Sequence, residues 1–169
     1  MPWILGNIHE AFILERWKRL DVKGNVVVDV GATAGDFSIY ASLNGAKKIL
    51  AYEMDKKYFD LLQTNLKENK ISNVKTFNKK FDMETCMEDL NREIDEERLV
   101  MKMDIEGDEY EQINGKYISS FTRFCEIIME YHYGCSELVN LLENNGYKVE
   151  TTPPQRIGKL RAGYLYAVK

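Results

Sequence analysis

No run of apolar residues in these 169 approaches the ~20 needed for a membrane-spanning helix. No charged leader followed by an apolar core opens the chain, so the expectation is a soluble, cytoplasmic protein without membrane attachment. Cysteine is scarce: Cys86, Cys125 and Cys135 are odd in number and lack the paired spacing of a metal site. Read as free thiols, they fit a reducing compartment. Positive charge is not in excess. Lysine and arginine total 23 against 27 acids, a formal net charge of −4, so the global basic field of a general nucleic-acid binder is missing. There is no internal repeat, linker or low-complexity tract. What remains is ordinary globular composition, 44% hydrophobic and 30% charged. The length fits one domain over 1–169, with an N-terminal helical segment (1–22) and a core (23–169).

The stretch that organises this core is Val26-Val27-Val28-Asp29-Val30-Gly31-Ala32-Thr33-Ala34-Gly35. Its β-branched run, polar only at Asp29, reads as a strand covered on both faces. Gly31 and Gly35 bracket a short loop, and Asp36-Phe37-Ser38-Ile39-Tyr40 opens a helix. Strand, glycine loop and helix form the cradle in which doubly wound α/β folds hold a nucleotide-like cofactor. A dinucleotide fingerprint needs a second glycine two residues after the first, and Thr33 stands there. Asp29 also puts a carboxylate where a diphosphate would be repelled. An anion there suits a ligand carrying an ammonium and a sulfonium, as S-adenosylmethionine (SAM) does. An NAD-dependent oxidoreductase is accordingly the least favoured class, and a plain glycine turn without ligand is the bland alternative.

Periodicity supplies the rest. An amphipathic helix is expected over Asn7 to Leu20, with Ile8, Phe12, Ile13, Leu14 and Trp17 apolar. Strands are expected at Lys48 to Tyr52, Val74 to Phe77, Leu99 to Met103, Cys125 to Met129, Tyr147 to Thr151 and Arg161 to Val168. Helices separate them: Asp36 to Leu43, Asp55 to Asn69, Glu84 to Glu97, a short one after Gly107, and Ser136 to Asn145. Asn114 to Arg123 reads as a connector. The alternation implies a doubly wound, Rossmann-like α/β fold with a mostly parallel sheet of seven strands. The last two strands share only a loop, which makes them an antiparallel C-terminal hairpin.

Ligands in such sheets lie beyond the carboxyl ends of the strands. After strand two comes Glu53, about 20 positions past Gly31, where an acid accepts from ribose hydroxyls. Met54 can cover the adenine or simply pack. After strand three, Phe81 can pack on the ring, and Asp82 either accepts from the adenine amino group or caps the next helix. After strand four comes Lys102-Met103-Asp104-Ile105-Glu106-Gly107-Asp108-Glu109. Lys102, Asp104 and Glu106 share a face. Asp104 and Glu106 can share a proton or hold a divalent cation, though no metal is expected. Asp108 and Glu109 read as the acidic first turn of the next helix. After strand five, Glu130 and His132 share a face; the second histidine, His9, reads as structural.

On these residues the chain resembles the FkbM-type class I SAM-dependent methyltransferases. The matching pieces are the segment from Asp29 to Ser38, Ala51-Tyr52-Glu53, Asn65-Leu66, Lys102-Met103-Asp104-Ile105-Glu106-Gly107 and Glu130-Tyr131-His132. The resemblance runs from Val26 to the C-terminus and departs at Met54, where the family usually has proline. It implies a class I methyltransferase sheet and O-methylation of a hydroxyl on a small molecule, sugar or lipid. The cofactor site would comprise Asp29, Gly31, Ala32, Thr33, Gly35, Glu53, Met54, Phe81 and Asp82. His132, or Asp104 in second place, is the expected general base. Glu130 would orient the imidazole, and Glu106 and Lys102 complete the catalytic set. No Asn-Pro-Pro-Tyr element follows strand four, which lowers amino-methylation. An RNA-directed methyltransferase and a SAM-binding protein without catalysis are the alternatives. The short N-terminal segment leaves the site mouth open to closure by a second copy.

Overall fold

Five consecutive buried residues, Val26–Val30, form the central strand β1 of the computed structural model, which describes residues 16–94, 98–114, 116–157 and 160–169. Elements then alternate: α1 (Asp36–Leu43), β2 (Lys48–Tyr52), α2 (Lys56–Glu68), β3 (Val74–Phe77), α3 (Met83–Glu93), β4 (Leu99–Met103). They continue with α4 (Glu109–Gln112), α5 (Ile118–Phe121), β5 (Phe124–His132), α6 (Ser136–Glu143), β6 (Lys148–Thr151), β7 (Gln155–Ile157) and β8 (Leu160–Val168). Strand order is β3-β2-β1-β4-β5-β8-β6, with the three-residue β7 paired to β8 off that path. The pairs among β1 to β5 are parallel, and β8 runs antiparallel between β5 and β6. The seven strands on this path and the antiparallel C-terminal hairpin of β6 and β8 are as expected; β7 is an eighth, within the segment expected to be only a loop.

The period-2 alternation of the strands splits the core into two layers. Val28, Val30, Met101, Met103, Ile127 and Met129 face α3 and α6 through Met83, Leu90, Leu138 and Leu142. Val27, Ile49, Val100 and Ile128 face α1 and Trp17 through Phe37, Tyr40 and Ala41. Full burial of each such side chain contributes about 1.5–3 kcal/mol. Asp55 caps α2, its carboxylate accepting from the Lys57 and Tyr58 N–H groups.

Other expectations change. The helix before β4 ends at Glu93 rather than Glu97, with Ile94 as C-cap in extended backbone. β5 is nine residues long, because β8 pairs with it from Glu126 to His132. Glu130 and His132 are therefore sheet residues, held by ladder hydrogen bonds, and not part of a loop. The connector contains the single-turn α5. Of the N-terminal helix, residues 1–15, and His9 with them, lie outside the described residues; Arg16–Arg19 form a 3-10 turn.

Candidate functional site

The tips of β1 and β4 touch, and glycine makes that contact feasible. Gly31 has φ +75°, and a Cβ there would lie 1.8 Å from the Asp104 carbonyl oxygen. Gly35, at φ +89°, would place a Cβ 2.5 Å from Leu62 Cδ1, so α2 packs directly on the loop. The N–H groups of Gly31 and Ala32 both donate to the Tyr52 carbonyl, at 3.1 and 2.9 Å. The loop is thus stapled to β2. Ala32 is buried and acts through its backbone.

Glu53 joins loop to strand. One carboxylate oxygen accepts from the Thr33 N–H (2.8 Å), the other from the Asp55 N–H (2.7 Å). Each oxygen retains a lone pair, so two ribose hydroxyls can still donate. Burial raises the Glu53 pKa above the ordinary carboxylate value. A cavity of about 300 Å³ opens here, between Gly31, Thr33, Glu53, Met54 and Phe81 on one side and Asp104, Ile105 and Glu106 on the other. Its size falls at the lower end of small-molecule sites. Met54 is exposed, and Phe81 stands edge-on to Tyr52 with centroids 5.3 Å apart. Tyr58, Lys79, Lys80 and Asp108 also line it. In the sequence Asp108 reads as part of an acidic first turn, and the only signal for Tyr58, Lys79 and Lys80 is their nearness to strand ends.

Three expected ligands or catalysts are elsewhere. Asp29 is fully buried, with Oδ2 accepting from the Ser38 hydroxyl (2.7 Å) and Oδ1 3.4 Å from the Lys102 ammonium. Its charge is answered inside the sheet, and it does not line the cavity described above. Lys102 is buried as well. Its ammonium donates to the Gly31 carbonyl (2.8 Å) and lies 5.5 Å from the Trp17 ring centroid. Burial works to lower its pKa, but Asp29, Asp104 and Asp36 raise it past the ordinary lysine value. Lys102 braces the glycine loop from behind and does not line the cavity. Asp82 caps α3, accepting from the Thr85 N–H at 3.0 Å, and does not line the cavity.

The acids after β4 and the end of β5 do converge. His132 is 2% exposed. Its Nδ1 lies 3.2 Å from Glu109 Oε1, while Nε2 is 3.7 Å from Glu106 and 4.0 Å from Glu130. The hydrogen bond to Glu109 raises the imidazole pKa against the opposing effect of burial, and Glu106 and Glu130 add to the rise. Glu130, expected to orient the ring, is instead bonded by the Tyr164 hydroxyl. Asp104, half-buried, has its pKa pushed up to about 7 by burial, with Glu130 and Glu106 adding and Lys102 and His132 opposing. Glu106 is an exposed non-glycine residue at φ +58°, the kind of strained backbone that clusters at functional sites. Among the described residues, no three histidine, cysteine or acidic side chains are grouped to hold a metal ion. Nor is any helix among them long and apolar enough to cross a membrane.

A crevice at the β1/β4 switch point, floored by a glycine loop and an acid at the end of β2, on a sheet of this order, defines a class I SAM-dependent methyltransferase. The family model for the TRM5/TYW2 methyltransferase domain matches residues 3–120, and the chain belongs to that family. A precorrin-6y C5,15-methyltransferase from Geobacter metallireducens superposes with TM-score 0.62 at 21% identity, over 87% of this chain and 81% of its own. An rRNA methylase from Streptococcus thermophilus gives 0.60 at 13%, over 100% and 96%. The SAM-bound magnesium protoporphyrin IX methyltransferase of Synechocystis gives 0.64 at 13%, over 98% and 80%. At such identities the likeness is one of fold. A comparison with curated protein sequences finds no match. The family model names a different subdivision of these enzymes from the FkbM type that the motifs resemble; what the two share is the class and the cofactor.

Proposed function

We propose that this methyltransferase moves the methyl group of SAM onto a hydroxyl oxygen of a small molecule, sugar or lipid, the activity implied by the FkbM-type resemblance. Gly31, Thr33, Glu53, Met54 and Phe81 hold the cofactor, Glu53 gripping the ribose. The observation that carries the reading is His132. Its Nδ1 is bonded to a carboxylate, and its Nε2 stands among Glu106 and Glu130; Glu106 lines the cavity, and the buried His132 is next to it without lining the cavity itself. A hydroxyl must lose its proton as the C–O bond forms and the C–S bond breaks. The sulfur keeps the electron pair of the C–S bond, and His132 Nε2 receives the proton. Alignment of donor and acceptor in the crevice supplies much of the remaining rate.

An RNA acceptor is the second reading, favoured by the fold shared with an rRNA methylase. The charge at the mouth weighs against it. Asp104, Glu106 and Asp108 line it, whereas phosphate contacts draw on lysine and arginine. The two lysines that line the cavity are committed, Lys79 to Asp89 and Lys80 to Asp108, each at 2.8 Å.

The test uses methyl-labelled SAM with two separate acceptor pools, total RNA and the small-molecule and lipid extract of the source cells. Label is expected in the extract and absent with His132→Ala, a loss of about 10²–10⁴-fold. Ribonuclease-sensitive label in the RNA pool alone would sink the reading.

A further inference from the structure

We propose that Glu109 is the positioning residue of this site, setting the tautomer and aim of His132 and, through the same oxygen, holding the turn that presents Glu106. The inference rests on the reading of His132 as the base.

Glu109 begins α4 and is fully buried. Oε1 accepts from the Ile105 N–H at 3.2 Å and the Gly107 N–H at 3.1 Å, and lies 3.2 Å from His132 Nδ1. A carboxylate has no proton to give, so Nδ1 must carry the hydrogen and Nε2 must keep its lone pair. That is the tautomer a base facing the acceptor requires. The other groups facing the ring are too far to fix it. Glu106 and Glu130 stand 3.7 and 4.0 Å from Nε2, and Asp104 acts on it only through charge. The Tyr110 hydroxyl donates to the His132 carbonyl, not to the ring.

Two further facts separate this from an ordinary helix-start acid. Among the described residues, no lysine or arginine pairs with Glu109; His132 is its one ion-pair partner. Its Oε2 is buried without a hydrogen bond. Leaving such an atom without a partner is costly, and a structural cap has no need to bear that. A buried carboxylate whose sole counter-ion is an imidazole stabilises the imidazolium formed when the base takes its proton. The backbone bonds serve a second purpose. Ile105 and Gly107 flank Glu106, so one oxygen ties its left-handed turn to the end of β5.

The chain has two histidines. Long-range ¹H–¹⁵N spectra of ¹⁵N-histidine protein, assigned with His9→Gln, read the tautomer directly in the wild type. The expected neutral form is Nδ1–H, with a pKa above the ordinary 6.5. An Nε2–H tautomer overturns the inference without need of a variant at Glu109. In Glu109→Gln, which keeps an oxygen for the two backbone donors but loses the charge, the His132 pKa falls. The acidic limb of kcat/KM then moves to lower pH with it. kcat drops by between about tenfold and the ~10⁴-fold seen when a triad loses its orienting carboxylate, and KM for SAM is unchanged. A structural acid would lower the rate at every pH and leave the midpoint in place, which also overturns the inference. If the pKa read by NMR falls while the kinetic limb stays, Glu109 positions His132 as proposed, and it is the assignment of His132 as base that fails.

Discussion

Two glycines of nearly equal backbone geometry allow the contact between the β1 and β4 tips to be weighed. Gly31 has φ +75° and Gly24 has φ +73°. Alanine at either site incurs the left-handed strain of an L-residue, about 1–2 kcal/mol. At Gly24 nothing lies within 4 Å of the new Cβ, so strain is the whole effect. At Gly31 the Cβ falls 1.8 Å from the Asp104 carbonyl oxygen and 2.9 Å from its carbon. Both are backbone atoms, so a strand tip has to retreat by roughly 1 Å or more to reach ordinary contact. That displacement breaks the Asp104 N–H bond to the Val30 carbonyl (3.0 Å), worth about 1 kcal/mol net. It also breaks the Lys102 ammonium bond to the Gly31 carbonyl (2.8 Å), worth about 1.5–3 kcal/mol as a charged bond. Gly31→Ala should therefore lose about 3.5–6 kcal/mol, against about 1–2 for Gly24→Ala. At about 2–4 °C per kcal/mol for a chain of this size, the first lowers Tm by on the order of 10 °C or more and the second by a few degrees. Denaturant unfolding measures the difference, and calorimetry with SAM should find binding lost only in Gly31→Ala. If the two variants agree within ~1 kcal/mol, the tip contact is not what the glycine is for, and the argument for this crevice as the cofactor site loses its base.

Glu53→Gln removes the charge proposed to grip the ribose, so SAM affinity should fall about 10- to 150-fold by calorimetry; because Gln keeps an oxygen for only one of the Thr33 and Asp55 N–H donors, apo stability should also fall, by about 1–3 kcal/mol. Because burial raises the Glu53 pKa, SAM affinity in the wild type should begin to fall with decreasing pH above the ordinary 4.5 of a glutamate. The sign for apo stability is the reverse, since protonating a desolvated carboxylate relieves its penalty and adds stability as pH drops through the raised value. Lys102→Met leaves Asp29 buried without a counter-ion and should cost about 3–5 kcal/mol in denaturant unfolding. The double variant with Asp29→Asn should recover most of that; if it does not, the buried pair is not what Lys102 is there for.

How much of this was legible follows from which interactions are local. Val26–Val30 could be read because a strand buried on both faces has to be apolar throughout, and Gly31 because a strand entering a tight turn needs a permissive residue. The reason no other residue fits at Gly31 is a backbone atom 73 positions away, which no local pattern contains. Asp29 illustrates the same limit. As a lone acid at a strand tip it looked aimed at a ligand, yet the parallel register of β1 and β4 sets it directly beside Lys102. One acid in a buried strand and one base in another is a signal that they answer each other, and it was present in the sequence. Glu109 shows where reading along the chain goes wrong most instructively. Two residues past Gly107, it has every mark of an acid placed to favour a helix dipole. α4, however, is a single turn, and a helix that short has little macrodipole to complement. Its length depends on tertiary packing, so only folding reveals that the acid faces β5. The element of the sequence that looked most specific, Lys102 through Gly107, thus divides by depth. Lys102 braces the glycine loop from inside, Asp104 and Glu106 line the cavity, and the residue holding the turn together is the one just past the motif. That division makes the acids after β4 separable by experiment: substitutions at Lys102 should be read as stability, and those at Glu109 as the pH dependence of a neighbour's proton.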